Sequence, residues 1–289
     1  MRLQDLESNL DTDLSWRKNE LSSLFEIALN TKIASEEGHD NLLYKTVLKT
    51  LYLLLYSHWE GFVKKSCKLY ISYINQKNVR ARDLTNTFTA LALKKSINTC
   101  YTKENIDSLS IKTYLDFIDL HNSKLQENFK VIVKTDSDFD DDFIKTFSNL
   151  TYKNYKNLLT SIDLPVFEYF YHENYHIEVE DVSGKKQNVP VLSSILDFSL
   201  LHYRHSIAHS GSVSNELDLE VYQILQEKIL YIMDMLVTNI SDFCHEEFYK
   251  QCNFNQRNKY IEEKNEEIKQ YFMNLNSTLN GPPEEFLDD

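Results

Sequence analysis

The sequence predicts a mainly α-helical protein, and three observations support that prediction. Only five glycines and four prolines occur in 289 residues, so few positions would interrupt a long helix. Hydrophobic residues make up 42% of the chain, which is enough for a sizeable core. Apolar residues also recur at steps of three and four along several long stretches, the spacing of one face of a helix.

The first half of the chain reads as four helices. The first runs to about Lys32 and packs through its leucines, and the second, from about 41 to 76, has a broad apolar face that includes Trp59. Gly61 lies in the middle of this second helix, where glycine costs about 1 kcal/mol relative to alanine. We therefore expect a close approach by a neighbouring element at Gly61. Residues 84–101 and 108–130 are predicted to be core helices.

The second half begins with a predicted helix at 143–161 and then changes its periodicity. Between about 175 and 191, alternating apolar residues flank the turn-like Ser183-Gly184-Lys185, which indicates a small β-hairpin. Further helices are expected at 193–210, at about 215–249 and, strongly charged, at 256–275. These patterns predict one helical domain at 1–255, followed by a peripheral charged helix and an acidic tail at 256–289.

Composition excludes some classes of protein and favours others. The four cysteines show no Cys-x-x-Cys spacing, so neither a disulfide framework nor a zinc site is indicated, and we expect no metal, no cofactor and a reducing cytoplasm. The N-terminus lacks an apolar signal core, and every apolar run is far shorter than the roughly 18 residues of a membrane span. A soluble protein without membrane contact is therefore expected.

Charge is unevenly distributed along the chain. The formal net charge is −13, yet the region from 43 to 103 contains eleven basic and two acidic residues. A basic region on an acidic body can bind a phosphate backbone locally, and Lys64, Lys65 and Lys68 are candidate RNA contacts. The alternative is a solvated lysine-rich helix face, and the sequence leaves both interpretations open.

The helix at 193–210 has two different faces. On an ideal α-helix, Leu196, Leu200, Tyr203 and Ile207 form an apolar stripe that seats the helix on a core. The opposite face is a mixture of charged, aromatic and imidazole side chains that suits a partner or a substrate: Asp197, Phe198, Leu201, His202, Arg204, His205, Ala208 and His209.

Two separated stretches resemble a known superfamily. Arg204-x4-His209, with an apolar helix before it and a long helix after it, resembles the motif of the HEPN superfamily of small helical ribonucleases. The stretch Tyr-Ser-His-Trp-Glu-Gly-Phe-Val-Lys at 56–64 resembles the second-helix signature of the MAE-type HEPN-like nucleases. The resemblance implies a HEPN-like antiparallel helical bundle, here with extra helices and a small hairpin.

The resemblance also assigns roles to residues. Arg204 and His209 would be catalytic, with Glu60, His205 and Ser206 in support. In related HEPN proteins an acidic residue on a neighbouring helix often faces the motif arginine, so Glu60 is either the partner of Arg204 or a plain exposed carboxylate. A lone histidine on an aromatic helix is usually packed and hydrogen-bonded, and this is the interpretation favoured for His58 over a catalytic one.

Together, the resemblance and the residues predict that the protein is a metal-independent endoribonuclease that acts as a toxin or antiviral defence effector. The expected active form is a homodimer in which two motif helices meet, with RNA as substrate and with a possible neutralising or regulatory protein partner. The alternative is a catalytically inactive helical module that binds protein, as a partner subunit of a defence or toxin–antitoxin complex.

Overall fold

The protein is α-helical with one small β-hairpin, which confirms the predicted fold class. The computed structural model describes residues 1–36, 41–101, 111–135, 144–146, 149–167, 176–180, 184–210 and 217–280. Within these ranges it describes the backbone alone at 95–101, 176–178, 180, 209–210, 268–269 and 271–280. No helix in the described part of the chain is both long enough and apolar enough to cross a membrane.

Two long helices form the centre of the fold. Helix α1 (Leu3–Glu36) and helix α2 (Asn41–Asn75) run antiparallel, because Met1 contacts Gln76 at one end while Arg17 contacts His58 near the middle. All residues of α2 from 66 to 71 are buried, as expected of a helix surrounded by protein on every side. Helix α8 (Leu219–His245) packs against both, so α2 is the central helix.

Helices α3 (Asn86–Tyr101) and α4 (Ile111–Gln126) pack against each other beside this core. The prediction that both are core helices is wrong for α4, none of whose residues is buried. Helix α4 also ends before the predicted 130. The chain then becomes extended, and Asn75 of α2 donates to the carbonyl of Val131 at 2.8 Å and accepts from its N–H at 2.9 Å. The Asn75 side chain thus satisfies both backbone groups of Val131, as a neighbouring strand would do in a sheet.

Helix α5 (Tyr152–Ser161) is shorter than the predicted 143–161. Its first turn is capped twice: the Thr151 hydroxyl accepts from the N–H of Asn154 at 3.1 Å, and the Asp197 carboxylate accepts from the N–H of Tyr152 at 2.8 Å. Burial raises the pKa of Asp197, while its hydrogen bonds to Tyr152 and Ser193 oppose that shift. Asp197 is therefore a structural cap rather than part of an exposed face.

The predicted hairpin is confirmed. Strands β1 (His176–Glu180) and β2 (Lys186–Pro190) pair antiparallel with Ile177 opposite Val189. The chain then enters the short helix α6 (Val191–Ile195), a π-helical segment (Leu196–Leu201) and helix α7 (His202–Ser210), so the single helix predicted at 193–210 contains a wide turn.

The π-helical segment changes which side chains face the core. In this wider turn, successive residues are separated by an angle that differs from the 100° of an α-helix. Leu196, Leu200 and Leu201 are all buried as a result. The expectation that Leu201 lies on the outer face is wrong for this reason. The Ser199 hydroxyl donates to the carbonyl of Ser194, five residues earlier, at 3.0 Å.

Helix α9 (Phe254–Asn280) is attached to the body by its first turns. Arg257 donates to Asp163 at 2.7 Å, and the Tyr260 hydroxyl donates to Asp242 of α8 at 2.5 Å. The acidic end at 281–289 lies outside the described residues. The division into 1–255 and 256–289 stays a prediction.

Candidate functional site

A cavity of about 850 Å³ lies where α1, α2 and α7 meet. Arg204 of α7 lines it, together with four of the α2 residues singled out in the sequence, Glu60, Lys64, Lys65 and Lys68. Two stretches almost 150 residues apart in the sequence therefore meet at one concave surface. The α1 side of the cavity is formed by Asp13, Trp16, Arg17 and Glu20.

Arg204 is held against an aromatic ring. Its guanidinium carbon is 5.3 Å from the centre of the Tyr56 ring, which is within the range of a cation–π interaction. The Tyr56 hydroxyl accepts from the N–H of Leu150 at 3.0 Å, so the ring is fixed from its far end. Burial raises the pKa of Tyr56, and the nearby Glu60 raises it further while Arg204 opposes the shift. Tyr56 is therefore neutral and rigid.

Glu60 is not in direct contact with Arg204. Its carboxylate accepts from the Thr146 hydroxyl at 2.6 Å and pairs with Lys64 at 3.2 Å, and no ion pair between Glu60 and Arg204 exists although both side chains are described. The predicted ion pair between Glu60 and Arg204 is therefore not formed. The two residues are instead linked through Tyr56, whose pKa both of them shift. Glu60 is also not the plain exposed carboxylate of the alternative interpretation, since only 21% of its side chain is exposed.

The three lysines face the cavity rather than an open surface. Lys64 pairs with Glu60, and Lys65 donates to the carbonyl of Thr135 at 2.8 Å. Lys68 is only 1% exposed. Their charges therefore add to that of Arg204 in one recess, where the field of several cations is less screened than on a flat face.

His58 is a packed histidine, as the favoured interpretation predicted. Its Nδ1 lies 3.2 Å from the Arg17 guanidinium and its Nε2 lies 2.9 Å from a Glu20 oxygen. Since arginine only donates, Nδ1 accepts, and the proton of the neutral ring is assigned to Nε2. Burial lowers the pKa of His58, Arg17 lowers it further, and Glu20 opposes these effects.

Helix α1 contributes site residues that the sequence analysis treated as simple packing. Arg17 also pairs with Asp13 at 2.9 Å. The glycine at 61 makes room for it, because a Cβ there would lie 3.1 Å from the Arg17 guanidinium. The available signal was the charged spacing of Asp13, Arg17 and Glu20 on one side of α1, opposite a glycine in the middle of α2.

The remaining motif residues lie on α7. His205 and Ser206 are half-buried, and neither is among the residues that line the cavity. His202 makes an edge contact with Tyr203, with ring centres 5.7 Å apart. The backbone of His209 lies in the last turn of α7, and its side chain lies outside the described part of the structure. No group of three or more metal-ligating side chains occurs among the described residues.

Comparison with known proteins identifies the family of the chain. The model of the MAE_28990-like HEPN family matches residues 6–249, a span that includes α2, the π-helical segment, α7 and α8. Neither the curated proteins nor the solved structures gave a significant match to the chain. Because the family match covers far more than half of the sequence, the chain belongs to the MAE_28990-like HEPN family.

Proposed function

We propose that this protein is a HEPN endoribonuclease that cleaves RNA without a metal ion and acts in the cytoplasm as a toxin or antiviral defence effector. HEPN domains are often ribonucleases. The observation that carries the proposal is the position of Arg204, which lies against Tyr56 in a cavity that three lysines also line. This arrangement suits the binding of a phosphate group.

RNA supplies its own nucleophile, so few protein groups are needed. The 2′-oxygen attacks the adjacent phosphorus while a base removes its proton, and the bond from phosphorus to the 5′-oxygen breaks as an acid donates a proton to that oxygen. Arg204 stabilises the charge that develops on the phosphorane oxygens. His209 serves as acid or base, the catalytic role that histidine fills most often. The products are a 2′,3′-cyclic phosphate and a 5′-hydroxyl.

A homodimer completes the set of groups in this proposal. One chain offers one Arg204 and one His209, whereas in-line cleavage uses an acid and a base with a cation between them. A two-fold contact between α7 helices duplicates each group in one step. Since Leu201 belongs to the core, the proposed contact relies on the half-buried Phe198 and the exposed Ala208.

The test is incubation of purified protein with mixed RNA in EDTA, followed by analysis of the fragment ends. We expect cleavage with cyclic phosphate and 5′-hydroxyl ends. Arg204→Ala and His209→Ala proteins, purified identically, are the controls, because a contaminating nuclease would cut in all three samples. Strict dependence on magnesium with 3′-hydroxyl ends would contradict the proposal.

A second candidate function is a catalytically inactive module that binds protein, as a partner subunit of a toxin–antitoxin or defence complex. The apolar side of α4 favours it, because Ile111 is 77% exposed, Leu115 55% and Ile118 49%. Exposed apolar residues at this spacing are typical of a helix that docks on another protein. The same surface also suits a neutralising or regulatory partner of an active enzyme.

A further inference from the structure

The α1 side of the cavity contains an exposed tryptophan in a fixed orientation. Trp16 is 45% exposed, whereas Trp59, the other tryptophan of the chain, is fully buried. The Trp16 indole N–H donates to Asp13 at 3.1 Å. The Arg17 guanidinium lies 4.5 Å from the ring centre, and the His58 ring makes an edge contact at 5.2 Å. None of the three contacts uses the exposed surface of the indole.

Two of these contacts come from side chains that also bind each other. Arg17 and His58 lie 3.2 Å apart, so they hold the indole as one unit. Beside them, 45% of Trp16 remains exposed. A ring that is already immobilised loses little conformational entropy when another flat group stacks on it.

Charge differs between the two sides of the cavity. On the α1 side, Asp13 balances Arg17, and the half-exposed Glu20 carboxylate lies beside a neutral His58. On the Arg204 side, Lys64 pairs with Glu60 and leaves the Arg204 charge in excess. Lys65 and Lys68 also line the cavity, on the stripe of α2 that continues from Gly61. The cavity thus offers a flat aromatic surface on the α1 side and a series of cations along α2 that ends at Arg204.

We propose that Trp16 is a base-stacking subsite for single-stranded RNA, with the neighbouring phosphate bound at the Arg204 side. Unpaired RNA alternates exposed flat bases with phosphates, and proteins bind it by pairing aromatic rings with cations. Duplex RNA does not fit, because its bases are already stacked on one another. The proposal rests on the proposed function for the identity of the ligand, but it does not depend on cleavage.

The fluorescence of Trp16 provides a direct test. The full-length His209→Ala protein is titrated with a short single-stranded RNA, and with an abasic ribose-phosphate oligomer of the same length and charge. Because Trp59 is buried, quenching reports stacking on Trp16. We expect saturable quenching by the RNA and none by the abasic oligomer. Trp16→Phe should abolish the quenching yet bind RNA within a few-fold, since phenylalanine also stacks.

Trp16→Leu removes the aromatic surface and should weaken RNA affinity roughly 5- to 150-fold, the effect of losing one stacked base. Thermal unfolding and the emission of Trp59 verify that the variant is folded. If Trp16→Leu binds RNA as tightly as the parent, or the abasic oligomer binds equally well, the subsite is wrong even when the wild type cleaves RNA. If no RNA binds at all, the subsite is also wrong. Quenching by RNA in a protein that never cleaves would instead contradict only the proposed reaction.

Discussion

The guanidinium of Arg204 lies over the ring of Tyr56, 5.3 Å from its centre, and the Tyr56 hydroxyl is bonded to the backbone of Leu150. The arginine of the motif is thus oriented by an aromatic residue of the central helix rather than by a carboxylate. Glu60 lies one turn further along α2, where its carboxylate accepts from Thr146 and pairs with Lys64.

Two substitutions of Tyr56 separate its ring from its hydroxyl. Tyr56→Phe keeps the ring beneath Arg204 and should retain most RNA cleavage, but it leaves the buried N–H of Leu150 unpaired and should cost about 1–3 kcal/mol of stability. Tyr56→Leu loses both the ring and the hydroxyl. It should also slow cleavage about 2- to 30-fold, the change in rate that corresponds to the free energy of one cation–π contact. Urea unfolding and initial rates measure the two effects. Equal rates for the two variants would show that the ring does not orient Arg204.

His209→Ala should lower the rate of RNA cleavage about 10²- to 10⁴-fold, because it removes a general acid or base. His209 lies at the end of α7, so thermal stability should remain nearly unchanged. His205→Ala is the matched control on the same helix and should have a smaller effect on the rate. A large loss of stability with normal turnover would mean that His209 has a structural role only.

Mixing subunits tests whether the site is shared. If two α7 helices form one site, inactive His209→Ala chains mixed with wild-type chains should depress activity more than dilution does, once subunits have exchanged. Labelled chains verify the exchange. Activity that falls in proportion to the wild-type fraction, or a fully active monomer, would rule out a shared site.

His58 should make stability depend on pH. Its pKa is lowered in the folded protein by burial and by Arg17, so the unfolded chain binds the proton more readily. Stability should therefore fall as the pH drops through the ordinary histidine pKa near 6.5. His58→Gln keeps an acceptor for Arg17 and a donor for Glu20 but does not titrate. On acidification the unfolding free energy of the wild type should therefore fall relative to that of the variant, and a constant difference would refute this account.

Arg257 should be essential for the attachment of α9. Its guanidinium is 13% exposed and pairs with the nearly buried Asp163, which also accepts from Thr85 at 2.5 Å. Arg257→Met leaves that carboxylate without its cation and should destabilise the protein by about 3 kcal/mol. Lys259→Met, in an exposed pair on the same helix, is the control and should change little. Similar unfolding curves for the two variants would contradict the predicted role.

The sequence by itself determined those features that depend on local spacing. The apolar period of 41–76 and of 215–249 was sufficient to predict α2 and α8, and the change of period near 175 was sufficient for the hairpin, because each pattern is set by neighbours along the chain. The Arg204 motif and the 56–64 stretch likewise indicated the family that the comparison confirmed.

The tertiary structure decided everything that depends on which elements meet. Leu201 faces the core because the π-helical hydrogen bonding changes the angle between successive residues and so changes which side chains share a face. The amino-acid composition does not reveal such a change in hydrogen bonding. Helix α4 has an apolar pattern like that of a core helix, but packing against its described neighbours buries none of its residues. Arg17 and Trp16 belong to the site only because α1 packs against α2 at Gly61. Arg17 and His58 are 41 positions apart, and such a contact follows from packing rather than from local pattern.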